Sequence, residues 1–237
     1  MTERQGSSDR SDWVSGVAAA SPIVLGYLPI GMTFGVLGQN AGLSSFNIMM
    51  MSLLVYAGSA QLVAAGLLSA GASAASIILT TFVVNLRHLL LSAAVAPFLK
   101  RWNRGELAAF AYQLTDETFA LHAARFPSGR YSKAEVFAVN ISAQGAWLAG
   151  TGLGILLGQV ISDVEPFGLD FVLPALFIAL IVLQIEETSQ IAVAVITGAL
   201  SVALLILGVD QWNVIIATVI GATIGVALEL WTNKPSS

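Results

Sequence analysis

Three short polar runs stand out in an otherwise apolar chain. Asn85-Leu-Arg-His88 places a carboxamide, a guanidinium and an imidazole within one helical turn. Thr115-Asp-Glu117 brings two adjacent carboxylates, which point about 100° apart on a helix and can serve different roles. Tyr56-Ala-Gly-Ser-Ala-Gln61 sets Gly58 and Ser59 between two larger polar side chains. Arg87 has two readings. It is either part of a substrate or proton site, or a structural cation on the carbonyls of a broken neighbour. One of Asp116 and Glu117 is expected to neutralise Arg87. The other, left without a cation, is a candidate proton carrier, with His88 as the alternative. A Gly-Ser step permits a kink that frees backbone groups for a ligand. It equally suits a face of small residues packed against another helix.

These runs lie in a chain built for lipid. Of its 237 residues 56% are hydrophobic and only 10% charged, against roughly 25% charged in a soluble domain. Mean hydropathy is +0.81. From Trp13 to Leu99 the one formal charge is Arg87. Such a chain cannot cover a water-facing surface, which excludes a soluble enzyme, a disordered protein and a nucleic-acid binder. The fold class expected is an all-α polytopic membrane protein.

Eight apolar segments can be drawn at about 20 residues per span. They are Val17–Gly38, Phe46–Ser69, Ala74–Leu99, Glu106–Phe126, Val136–Ile161, Phe171–Ile185, Ile191–Leu207 and Val214–Trp231. Residues 1–12, with mixed charge and serines, read as a disordered tail. Residues 13–234 read as one transmembrane domain, with halves at 13–133 and 134–234. The first segment carries Pro22 and Pro29 and reads as a broken helix. Its second half could turn an N-terminus near Pro29 and Gly31 toward an anionic substrate group. Asn85 to His88 lie near the middle of the third segment, hence near the bilayer midplane.

The fourth segment holds Gln113, Asp116, Glu117, His122 and Arg125. A lipid-facing span could not carry these at roughly 2.5–3.5 kcal/mol per central charge. It is either enclosed by protein or does not cross. Basic clusters flank it: Lys100, Arg101 and Arg104 before, Arg125, Arg130 and Lys133 after. Both can face the cytoplasm only if it does not cross. An acidic loop follows the fifth segment, and Lys234 follows the eighth. This favours about seven transmembrane helices, N-terminus out; the alternative is eight, N-terminus in.

Tyr27–Gln39 aligns without gaps on Trp147–Gln159, with four of thirteen positions identical. If this echo marks a duplication, segments one and five begin equivalent halves, inverted when seven spans cross. Asn140 and Gln144 share a helix face and are expected to bond between helices.

Enzyme readings fail on the residues. His88 and His122 lack metal-ligand spacing, no cysteine is present, and no phosphate-binding glycine loop occurs. No metal and no cofactor are therefore expected.

Gly26-Tyr-Leu-Pro-Ile-Gly31 with Phe34-Gly35, the Tyr56–Gln61 run, Asn85-Leu-Arg-His88 followed by Ser92, and Leu114-Thr-Asp-Glu117 with Phe119-Ala-Leu121 occur in this order. Together they resemble the AzlC-type large subunit of branched-chain amino acid exporters (the LIV-E exporter family). The resemblance covers residues 21–126. It implies proton-driven export of leucine, isoleucine and valine across the bacterial inner membrane. It also implies a small four-helix AzlD-type membrane partner, and seven spans. On this reading Pro29, Gly31, Tyr56, Gly58, Ser59, Gln61, Asn85 and Arg87 bind substrate, while Asp116, Glu117 and His88 couple protons. Two other classes compete: an uncoupled channel or facilitator for small solutes, and a structural subunit that transports nothing. Midplane titratable groups weigh against the first, a polar midplane against the second.

Overall fold

A computed structural model describes residues 3–129, 131–158, 171, 175, 178, 182, 185, 188–209 and 213–232. Among them every regular element is a helix. The acidic loop (Asp163, Glu165, Asp170), Glu186, Glu187, Arg130, Lys234 and most of the sixth segment lie outside the described residues.

Helix α1 runs from Glu3 to Asn40 without interruption, through both prolines. The first helix is therefore not broken, contrary to the sequence reading. Both prolines lie on the exposed face of α1, and packing of the opposite face against a later helix keeps α1 continuous through them. Helix also extends back through residues 3–12, read from sequence as a tail. Once a helix is nucleated, each further residue adds with little cost.

Helix α8 (Lys133–Gly158) is the partner on that face. Small residues bring the two backbones together. A Cβ on Gly35 would come within 2.5 Å of Thr151 O, and one on Gly154 within 2.1 Å of Met32 O. Gly16 meets Glu135 and Ala138 near one end, and Gln39 meets Gly158 near the other. Numbers rise together along the seam, so α1 and α8 are parallel.

The second segment breaks. Helix α2 (Ser45–Met50) continues into a π-helical turn, Met51–Val55, and stops at Tyr56. Tyr56 is left-handed, with φ of 45°, the one non-glycine residue with positive φ among those described. Helix α3 (Gly58–Ser69) then turns back toward the end from which α2 came, packing on α1 and on the helix that follows it. Gln61 Nε2 donates to Ser52 Oγ at 3.1 Å, a contact that a continuous helix could not make across nine residues, about 13 Å. Ser52 in turn is bonded to Thr151 of α8 at 2.8 Å.

Helices α4 (Ala74–Asn85) and α5 (Arg87–Val95) are nearly collinear, with a single step at Leu86. They form one 25-residue apolar stretch, Ala74–Phe98. The fourth segment then breaks into α6 (Arg104–Tyr112) and α7 (Asp116–Arg125). Glu106 near the start of α6 pairs with Lys133 at 2.6 Å. Arg125 at the end of α7 pairs with Glu135 at 2.6 Å. Both partners lie in the first turn of α8, so α6 and α7 form a second hairpin that starts and ends at one level. Its tip, Gln113–Thr115, reaches Gln144, where Gln113 Nε2 donates to Gln144 Oε1 at 2.9 Å.

The two hairpins point at each other. One end of the bundle carries the starts of α1, α6 and α8 and the ends of α5 and α7. The other carries the ends of α1, α3 and α8 and the starts of α2 and α4. The first hairpin enters from the second end, the other hairpin from the first. The chain thus crosses three times before Gly158, at α1, α4–α5 and α8. The fourth segment does not cross, as its charge implies. The second does not cross either, which corrects the count of seven. Parallel α1 and α8 also correct the inverted halves: helices beginning such halves would run antiparallel.

The described basic residues Arg10, Lys100, Arg101, Arg104, Arg125 and Lys133 all lie at the first end. The positive-inside rule favours that end as the cytoplasmic one, in keeping with the N-terminus-in alternative rather than N-terminus out. Helices α9 (Thr188–Ile206) and α10 (Asn213–Thr232) pair with each other. Among the described residues, four helical stretches are long and apolar enough to span: Arg10–Asn40, Ala74–Phe98, Lys133–Gly158 and Thr188–Ile206. Leu25, Ile78, Phe82, Leu89 and Leu90 are exposed on this bundle, as lipid requires of its outer surface.

Two measurements check this architecture. Single cysteines at Asn103 and Ser128 should label from the cytoplasmic side, and a cysteine at Ala72 from the other. Valine at Gly154 forces two backbones apart and should lower the melting point in detergent by the equivalent of about 1–3 kcal/mol. Valine at Gly145, where a Cβ meets nothing within 4 Å, should change far less.

Candidate functional site

The hairpin tips, the step in α4–α5 and the middle of α1–α8 meet at one depth. Trp147 is 14 residues from the start of α8 and 11 from its end. Arg87 is similarly central in Ala74–Phe98. Tyr27, Ile30, Tyr56, Ala57, Gly58, Ser59, Arg87, His88, Thr115, Asp116, Glu117 and Trp147 line a pocket there. The empty space between them, open exterior included, is about 450 Å³, of which only about 30 Å³ is roomy enough for water-sized molecules, so the side chains nearly fill the site as it stands.

Charge in the pocket is balanced locally. Arg87 Nη1 lies 2.7 Å from Asp116 Oδ2, each side chain 24% exposed. The other terminal nitrogen, Nη2, donates to Ser59 Oγ at the start of α3. One guanidinium therefore ties together α5 and both hairpin tips. Tyr27 of α1 donates to Glu117 Oε2 at 2.5 Å and lies 2.7 Å from Thr115 Oγ1. So the two adjacent carboxylates part company: Asp116 faces a cation and Glu117 a phenol. Both sit in the first turn of α7, where the helix dipole favours negative charge. Thr115 and Thr118 cap that turn reciprocally. His88 Nδ1 lies 3.2 Å from Asn85 O, next to the step.

Further bonds fix the tips. Tyr112 donates to Leu53 O, a carbonyl at the end of the first hairpin's descending helix. Gln144 Nε2 donates to the Tyr112 hydroxyl at 3.0 Å. His122 Nε2 lies 2.8 Å from Asn140 Oδ1. Asn140 and Gln144 thus bond between helices, as expected from their shared face. At the cytoplasmic mouth, hydrogen bonds from Lys133 and from the Asn103 N–H hold the Glu106 carboxyl below the usual range.

Of the residues singled out from sequence, Tyr56, Gly58, Ser59, Arg87, His88, Asp116 and Glu117 share this pocket. Pro29, Gly31, Gln61 and Asn85 are not among its lining. Gly31 is spent on the seam, where a Cβ would meet Trp147 O at 2.8 Å. Gln61 is bonded to Ser52 below the tip. Sequence reasoning missed Tyr27 and Trp147, whose rings meet edge to face at 5.5 Å. The signal was present, since these are the first aligned pair of the internal echo.

Breaks in two apolar segments, with buried charge at the same depth, define a polytopic membrane protein with a polar site inside the bilayer. Residues 22–161 match the family model described as AzlC protein, and the chain belongs to that family. It is 35% identical over 168 residues to an uncharacterized membrane protein of Helicobacter pylori, covering 70% of this chain and 73% of that one. It is 28% identical to the inner membrane protein YgaZ of Escherichia coli, covering 76% of each. It is 29% identical to the branched-chain amino acid transport protein AzlC of Bacillus subtilis, covering 69% of this chain and 64% of that one. No solved structure matches. The chain is a multi-pass inner membrane protein of a transporter family.

The ion pair makes a checkable demand. Arg87→Gln leaves Asp116 without its cation and should destabilise the detergent-solubilised protein by about 1.5–3 kcal/mol. Adding Asp116→Asn should cost less than the sum of the single changes in a double-mutant cycle read by thermal unfolding. Strict additivity would show that the pair contributes nothing.

Proposed function

We propose that this chain is a secondary transporter exporting branched-chain or similar small apolar amino acids. It acts as the large subunit beside a small AzlD-type membrane partner and is driven by the proton gradient. The observation carrying this reading is the pocket itself. A paired cation and a second carboxylate are held at mid-depth, between two hairpins that approach from opposite sides. A zwitterion with an apolar side chain needs both signs of charge and an apolar wall, and Ile30, Ala57 and the aromatic rings supply the wall. The family supplies the substrate class through its Bacillus subtilis member's name.

The hairpins suit alternating access. They enter from opposite ends, and neither is part of the α1–α8 seam. Retraction of one tip would open the site to the end it enters from while the other stays shut. Glu117 is the proposed proton carrier, because its partner is a phenol, which can donate or accept, whereas Asp116 is engaged by the Arg87 cation. His88 is the alternative carrier.

The test is transport in proteoliposomes, with and without the small subunit. Labelled leucine should show counterflow. Glu117→Gln should abolish accumulation driven by a pH gradient while retaining exchange. Full pH-driven accumulation in Glu117→Gln would refute the assignment and move attention to His88. Absence of leucine counterflow in any preparation would refute the substrate class.

A further inference from the structure

Arg87 Nη1 is paired with Asp116 Oδ2, and Glu117 Oε2 is occupied by Tyr27. Three buried polar atoms on lining residues have no partner: the Tyr56 hydroxyl, Trp147 Nε1 and Arg87 Nε. Tyr56 and Trp147 are each only 3% exposed. An indole N–H and a guanidinium Nε–H can only donate, and a phenol hydroxyl can donate as well. Buried donors without acceptors are rare in folded proteins, so the group that completes them is an acceptor.

The backbone adds donors at the same place. Helices α2, α4 and α6 start at Ser44, Ser73 and Asn103, and α7 at Thr115; each of these side chains accepts from the first turn. Helix α3 starts at Ala57, which offers no side-chain acceptor. Its first N–H groups and the positive end of its dipole belong to the pocket wall at Gly58 and Ser59. Gly58 keeps that wall flat: a Cβ there would come within 2.7 Å of Trp147 Cη2. The left-handed Tyr56 ends the helix before it, so backbone strain is held next to Gly58.

We infer that the Trp147 indole N–H and the Tyr56 hydroxyl, with Arg87 Nε–H and the uncapped start of α3, form a carboxylate subsite. It selects solutes bearing a free carboxylate. The inference rests on the amino-acid reading of this pocket for the rest of the solute, but the subsite itself requires only the carboxylate.

Binding to the purified full chain separates the two. Three labelled probes suffice: leucine, leucinol, which lacks the carboxylate, and 4-methylpentanoate, which lacks the ammonium. Wild type should favour leucine over leucinol about tenfold or more, and Trp147→Phe and Tyr56→Phe should each remove about tenfold of that preference. Leucinol binding should stay within about twofold, the scale of a change that breaks no hydrogen bond to charge. An unchanged preference in both variants overturns the subsite. So does an equal loss for leucine and leucinol, which marks a packing role. Wild type that binds leucine and leucinol alike overturns the subsite but leaves the amino-acid reading standing. Wild type that takes 4-methylpentanoate but not leucine, and loses it in Trp147→Phe, supports the subsite and overturns the amino-acid reading. Wild type that binds none of the three overturns both.

Discussion

A guanidinium halfway along an apolar crossing helix cannot be solvated by lipid. It has to be met by a carboxylate and by acceptors brought to the same depth. Among the described residues, none of the helices that cross beside it supplies a carboxylate there. The family of contacts around Arg87 follows from this requirement. Asp116 reaches it only because the fourth segment stops at Thr115 and folds back, which sets a helix N-terminus at mid-depth. Ser59 reaches it only because the second segment does the same from the other side. Each break leaves helix ends whose N–H and C=O groups lipid would not satisfy. The two tips answer much of that need for each other, as the Tyr112 hydroxyl does for Leu53 O.

The arrangement has an internal order that the segment count hides. Helix α1 runs outward from the cytoplasmic end and is followed by a hairpin entering from the outer end. The α4–α5 stretch runs inward and is followed by a hairpin entering from the cytoplasmic end. The two units are related by inversion, each with its own tip at mid-depth. Helix α8 then repeats the direction of α1 and lies against it. The echo between Tyr27–Gln39 and Trp147–Gln159 therefore joins two parallel neighbours. Its glycines serve the close approach of both backbones, and its leading aromatic pair, Tyr27 and Trp147, faces the pocket.

What could be read from sequence depended on charge. The fourth segment was legible as a non-crossing element because five polar or charged residues in about 20 cannot face lipid. Arg87 and the Asp116-Glu117 pair were legible for the same reason. The second segment was not, because Phe46–Ser69 has no charge and is long enough to cross. Its break falls at Tyr56, a residue that favours neither a turn nor positive φ. In the first segment the opposite error arose. Two prolines announce a break, but both fall on the exposed face of α1, and the opposite face is held against α8. Trp147 was illegible as a site residue because an aromatic in a glycine-rich apolar helix reads as packing, which is also part of what it does, stacking with Phe34 at 6.3 Å.

The bonds that hold the structure differ in kind, and that difference bears on what can move. The α1–α8 seam is backbone against backbone, with glycines whose replacement meets main-chain atoms below 3 Å. Such a surface has no intermediate positions, because separation by a fraction of an ångström forfeits its dispersion contacts at once. The tips are held by side-chain hydrogen bonds, Tyr112 to Leu53, Gln113 to Gln144 and Tyr27 to Glu117. Each contributes about 1 kcal/mol when water or a polar ligand stands ready to replace the partner. On the proposed transport reading, a solute in the pocket would bring such replacements to the tips and none to the seam. Its binding energy would then be spent on releasing a hairpin, with α1 and α8 as the fixed frame against which that hairpin moves.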